Sequence, residues 1–226
     1  MLPHDLPAKS TVSEDFAQWR DDGTWQRLLD TLRQAVRVAA GKDPNPSAGS
    51  IDSQTVKATE IADDRAYDGG QKITGRKHQI IVDTLGLLIV VAVTIASADD
   101  GTIAPMALER WTAEHLTRLE WLWADTKYRN HELDAWLKAE GVRYRIEVVS
   151  RPPGSEGFVK LPKRWVAERS FAWLGRDRRH SKDYEWHTRS SEAWIRTSSI
   201  RGMLNRLAPR AKEKQPPFRY KKSKAA

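Results

Sequence analysis

The stretch that decides the fold is HQIIVDTLGLLIVVAVTIAS, His78–Ser97. Two apolar runs rich in Ile and Val flank Leu85-Gly86, and such runs on either side of a glycine turn spell a β-hairpin. Its second run, LLIVVAVTIAS, has no polar face and is expected to be buried on both sides. The longest apolar run, Leu85–Ala98, is too short to cross a bilayer and too β-branched for a spanning helix.

Working outward, SIDSQTVKA (50–58) reads as a short strand before the hairpin. TIAPMALERWTAEH (102–115) reads as a helix with Pro105 expected in its first turn, where a missing N–H costs nothing. RLEWLWAD (118–125) is the next strand, ending at Asp125. NHELDAWLKAEG (130–141) is a short helix closed by Gly141, and RYRIEVVS (143–150) a further strand. RPPGSEG (151–157) breaks the chain before the helix LPKRWVAERSFAWLGRDRR (161–179). A last amphipathic helix runs from about Ser191 to Leu207 and is stopped by Pro209. Three strands followed by alternating helix and strand predict an α/β fold, a mixed sheet flanked by helices in the ribonuclease-H-like order.

The N-terminal part reads differently. Residues 1–41 are expected to form a short helical segment of two helices broken at Asp21-Asp22-Gly23. Thr24 is the candidate N-cap and Gly41 the stop, with Trp25, Leu28, Leu29, Leu32, Val36 and Ala39 as one apolar stripe. A helix pair with a short turn is more often a packing unit than a DNA-reading one. Residues 42–50 are a linker by their Pro, Gly, Asn and Ser content. The main domain is then 51–209, and residues 210–226 form a basic tail expected to be disordered.

Composition narrows the function. Without cysteine there is no disulfide framework, thiol nucleophile or thiolate zinc site. The start MLPHDLPAKS lacks a basic-then-apolar export signal, so a soluble, cytoplasmic protein with no membrane partner is expected. The net charge is +8, and from Lys160 onward 19 Lys and Arg face six acids, leaving the first 159 residues mildly acidic. A basic C-terminal third points to a polyanion, nucleic acid first among them. A solubilising surface is the plainer reading.

Three acids fall at special places in the expected sheet. Asp52 lies within the first strand, Asp125 ends the fourth, and Glu168 lies on the late helix. An acid in an apolar strand is costly unless neutralised, and hard carboxylates suit a divalent cation of the kind that cuts phosphodiesters. Each has an ordinary alternative. Asp125 is a turn former, Asp52 an edge residue, and Glu168 the ion-pair partner of Arg164 one helical turn earlier. Asp99-Asp100-Gly101 reads as a plain turn. Trp173 reads as core, with base stacking as its minor alternative. Residue patterns alone leave these readings open.

The blocks IDSQTVKATE, AYDGGQKITGRKHQIIVDTLGLLIVVAV, WLWADTKYRN and LPKRWVAERSFAWLGRDRRHSKDYE closely resemble DDE transposases of small bacterial insertion sequences, in the insertion-sequence-five-like branch. The resemblance runs from the N-terminus to about Pro209. It implies a ribonuclease-H-like catalytic domain that cuts insertion-sequence ends and joins their 3′-hydroxyls to target DNA. The implied cofactor is Mg²⁺, with Mn²⁺ as a substitute. The catalytic and metal-ligating residues would be Asp52, Asp125 and Glu168. The partner would be double-stranded DNA, bound by a homo-oligomer. The family's Tyr-Arg-Glu-Lys signature is kept in part: Arg164 stands at its arginine, while Leu161 and Gly175 stand at its tyrosine and lysine. Arg164, Arg176, Arg178, Arg179 and Lys182 are the implied DNA contacts. The family's glycine after the second aspartate is absent from DTKY, and relatives carry a further helical region ahead of MLPHDLP, so an N-terminally truncated chain is expected. An inactive remnant that binds DNA and a metal-dependent nuclease are the alternatives.

Overall fold

The computed structural model describes residues 6–111, 118–154, 157 and 161–209. The Lys-rich tail lies outside the described residues. Helices α1 (Lys9–Asp21) and α2 (Thr24–Ala39) precede strands β1 (Ala48–Lys57), β2 (Ala66–Asp68), β3 (Ile73–Asp83) and β4 (Leu88–Ile95). There follow α3 (Asp100–Glu109), β5 (Trp121–Ala124), α4 (His131–Ala139), β6 (Arg145–Val148), α5 (Pro162–Leu174) and α6 (Thr188–Leu207).

The expected hairpin is the centre of the molecule. β3 pairs antiparallel with β4 along one edge and with β1 along the other, while β5 and β6 add parallel strands beyond β1. The six-stranded sheet therefore runs β4-β3-β1-β5-β6, the ribonuclease-H-like order, with β2 a short addition to β3 that the sequence did not announce. The β3–β4 turn needs Gly86, whose φ of +77° lies in the left-handed region that favours glycine. That turn touches α5: Ser170 Oγ donates to Gly86 O at 2.9 Å, and Arg169 Nη2 donates to Leu85 O at 3.0 Å.

Alternation along β3 and β4 divides the core between the two faces. Ile81, Ala92 and Ile51 meet Ala104, Ala107 and Leu108 of α3 and Leu133 of α4. Ile80, Val82, Val91 and Val93 meet Leu29 and Val36 of α2, Ala167 of α5, and Ile195 and Met203 of α6. The N-terminal helices thus share the main hydrophobic core. β1 begins at Ala48, inside the segment whose composition reads as linker.

Several local expectations change. Gly23, not Thr24, is the N-cap of α2, with φ +78°. Leu28 of the expected stripe is exposed, whereas Arg33 and Arg37 are buried. Those arginines can turn inward because carboxylates meet them, Asp30 at 2.5 Å and Asp83 at 2.6 Å. Pro105 lies in the interior of α3 and not in its first turn, because Asp99 caps the helix earlier than the apolar pattern suggests. Among the described residues no helix is long and apolar enough to cross a membrane.

Candidate active site

β1 carries Asp52 between Ile51 and Ser53. Ile51 packs with the α3 and α4 side and Ser53 Oγ donates to Asp100 of α3 at 2.6 Å, so strand alternation turns Asp52 toward the side of α5. β5 runs parallel to β1 with Ser50 opposite Trp123. Carried two residues further, that register sets Asp125 beside Asp52, just where β5 leaves the sheet. Asp125 then caps the 3₁₀ turn Thr126–Tyr128, its carboxylate accepting from Lys127 N at 2.8 Å.

Helix α5 starts at Pro162, the position where a missing N–H is harmless. It packs on β1 and β3 and reaches β5. Its buried side is Ala167 and Ser170, which leaves neighbouring Glu168 exposed. Arg164 does not pair with Glu168 as the helical spacing suggests. Its Nη2 crosses to Asp125 Oδ2 at 3.7 Å.

Electrostatics tie the three acids together. Burial pushes the Asp52 carboxyl up to about 7, although the hydrogen bond from Ser53 N opposes this. The Asp125 and Glu168 carboxylates push the same way, and the Arg164 guanidinium opposes them. Four side chains from β1, α5 and the end of β5 therefore share one field. A divalent cation suits such a donor set, since Mg²⁺ takes hard oxygens and completes its shell with water and phosphate. Among the described residues, no three His, Asp or Glu already stand as a ready-made metal cage. One or two carboxylates per ion are nonetheless the usual complement for Mg²⁺ in phosphate chemistry.

A residue that sequence reasoning set aside proves to be part of this surrounding. Asp99 does cap α3, but Asp100 is no plain turn residue: it is 2% exposed and paired with Lys77 at 2.9 Å and Lys127 at 3.3 Å. Tyr128, 2% exposed, accepts from Gln79 Nε2 at 3.1 Å, and burial together with Asp52 holds its phenol protonated. The signal that would have found Asp100 is the pair of lysines facing it, which only the fold brings together.

The basic residues divide into two groups. Arg176 and Arg178 are exposed, and Arg176 lines a groove of about 350 Å³ with Arg201 and Arg206. Lys182 is half-buried. Arg179 is exposed as well but is engaged within the chain, ion-paired with Glu185 and lying 4.7 Å from the Trp194 ring centroid. Trp173 is also occupied: the guanidiniums of Arg169 and Arg206 each lie 4.6 Å from its ring.

No curated protein matches the sequence. Among solved structures the chain is similar to a crystal structure of the mariner Mos1 paired-end complex with Mg, at 14% identity and a TM-score of 0.33. The similarity covers 91% of this chain and 61% of that one, so this chain spans about three fifths of its length. The transposase DDE domain family matches residues 43–200, a span that includes Asp52, Asp125 and α5, and the chain belongs to that family.

Proposed function

We propose that the protein is a DNA transposase that cleaves at insertion-sequence ends and transfers the resulting 3′-hydroxyls into target DNA. The observation that carries this reading is the contact of Arg164, one turn before Glu168 on α5, with Asp125 at 3.7 Å, at the end of the strand that pairs with that of Asp52. Burial, with the Asp125 and Glu168 carboxylates adding to it, raises the Asp52 carboxyl to about 7. Mutual repulsion of that kind is relieved by a cation, so these three carboxylates are the residues that would hold Mg²⁺, or Mn²⁺ in its place. When bound, the metal activates an attacking oxygen and stabilises the leaving one at a phosphodiester.

The remaining tasks fall to the chain itself. Asp52 is fixed by the central strand, and Asp125 by its cap on the turn that follows β5. Arg164 restrains Asp125 until DNA arrives and then offers its guanidinium to a phosphate oxygen. Arg176 and Arg178, just beyond the C-terminal end of α5, supply exposed positive charge for the duplex. Double-stranded DNA is the partner, and a homo-oligomer on paired ends is the proposed working form.

A second reading, a family member that binds DNA without cutting it, is favoured by the absence of a ready-made three-acid cage among the described residues. One assay separates them. A labelled insertion-sequence end should be joined to a second duplex with Mg²⁺, and Glu168→Gln should abolish joining while leaving DNA affinity unchanged. Binding without any cleavage would establish the second reading, and cleavage without joining would mark a nuclease.

A further inference from the structure

Lys127 follows Asp125 by two residues, and both of its ends are held. Its backbone N–H is fixed by the Asp125 carboxylate at 2.8 Å, and its ammonium is fixed by Asp100 at 3.3 Å. The side chain is nevertheless 63% exposed. An exposed lysine pair of this sort contributes little to stability, because water screens it and a long side chain loses rotamers to make it.

Asp100 does not need Lys127 for its own neutralisation. It already has the ammonium of Lys77 at 2.9 Å and the hydroxyl of Ser53 at 2.6 Å. Lys77 is 7% exposed and belongs to β3, while Ser53 is the immediate neighbour of Asp52 on β1. The cluster of one carboxylate and two ammoniums thus carries a surplus positive charge. The surplus sits on the solvent side, within the field of Asp52 and Asp125 but in direct contact with neither. An outward ammonium held at a fixed place beside paired acids is suited to an anion that approaches from solvent.

We propose that Lys127 contacts a phosphate oxygen of the DNA strand lying across Asp52 and Asp125, and that Asp100, itself held by Lys77 and Ser53, is the positioning residue that aims it. The inference rests on the transposase reading for the identity of the strand. Its binding consequence stands apart from catalysis.

The experiment uses the full chain and a short mixed-sequence DNA duplex, with binding followed by fluorescence anisotropy across a NaCl series in EDTA. Lys127→Met should lower the slope of log affinity against log salt by about one, the effect of one lost phosphate contact. Lys127→Arg should restore the slope. Lys138→Met, at an exposed position of α4, should leave it unchanged and serves as the matched control. In Mg²⁺, Lys127→Met should raise the DNA concentration for half-maximal cleavage more than it lowers the maximal rate. Because Lys127 is exposed, each variant should retain the parent's melting temperature.

An unchanged slope in Lys127→Met overturns the proposal, as does an equal fall in Lys138→Met. The two hypotheses fail separately. Lack of cleavage by the parent protein, together with a lowered slope in Lys127→Met, sinks the transposase reading and supports the DNA contact. Cleavage by the parent with an unchanged slope sinks the contact alone.

Discussion

Arg164, on the first turn of α5, points its guanidinium at Asp125, 3.7 Å away on the loop after β5, and not at Glu168 one turn along its own helix. The contact links the late helix to the end of β5, the middle strand of the parallel part of the sheet. It is long for an ion pair, and both side chains keep some exposure, so it should contribute about 1 kcal/mol or less. Arg164→Ala should therefore leave urea unfolding almost unchanged while lowering DNA cleavage more than about tenfold. Large destabilisation with normal cleavage would show that Arg164 is structural.

The unpaired Arg176 and Arg178 and the engaged Arg179 should behave differently. Arg176→Ala and Arg178→Ala should each weaken DNA binding alike across sequences and flatten its salt dependence. Arg179→Ala should instead cost stability, because its guanidinium pairs with Glu185 and lies over Trp194. Parallel anisotropy and thermal unfolding on the three variants check this. Three identical profiles would refute the division.

The hairpin was legible because β-branched runs and a glycine turn are local signals, and Gly86 provides the positive φ that the turn needs. The place of Asp52 within β1 and of Asp125 at the end of β5 followed from the same pattern. Asp100 was not legible. Asp-Asp-Gly has the local chemistry of a turn, and the burial of Asp100 depends on Lys77 of β3 and Ser53 of β1. Arg33 and Arg37 were hidden for a related reason: periodicity marks arginine as outward-facing, while Asp30 and Asp83 make the inward position tolerable. β2, only three residues long, is too short to generate a pattern.

Gly86 should not accept a side chain. Its φ is +77°, and an added Cβ would come within 2.9 Å of Ser170 Oγ and 3.0 Å of Arg169 Nη2, both on α5. Gly86→Ala should cost about 1–2 kcal/mol from the backbone alone, with more from the displaced helix. Since α5 carries Glu168, cleavage should fall more than urea-measured stability implies. A variant with parental stability and activity would show that the turn tolerates the substitution.

The segment between α5 and α6 is tied to β3 by buried charge. Asp183 stands 3.3 Å from both Arg76 Nη1 and His78 Nε2 and accepts from Ser191 Oγ. Arg76 is fully buried, so Asp183→Ala would leave it short of a partner, and about 3–5 kcal/mol of stability should be lost. Hydrogen exchange should quicken around residues 178–187. A loss below about 1 kcal/mol would mean that Asp63 and the carbonyls around Arg76 suffice without Asp183.

His180 makes the same segment sensitive to mild acid. Burial, with His78 adding to it, pulls its imidazole down to about 4, while Asp177 and Asp183 oppose that shift and Arg179 favours it. The ring accordingly stays neutral in the folded state, with Nε2 and Ser198 Oγ 2.8 Å apart. An unfolded histidine binds its proton near 6.5, so between about 6.5 and 4 the unfolded chain holds more protons than the folded one. The His180 contribution is therefore complete above about 6.5 and is lost as pH falls toward 4. Its size should be on the order of 2 kcal/mol after discounting for partial exposure. Urea unfolding of the parent should show a steeper decline between pH 7 and 4.5 than His180→Gln, with the two curves converging in acid. Parallel curves across that range would place the acid sensitivity elsewhere.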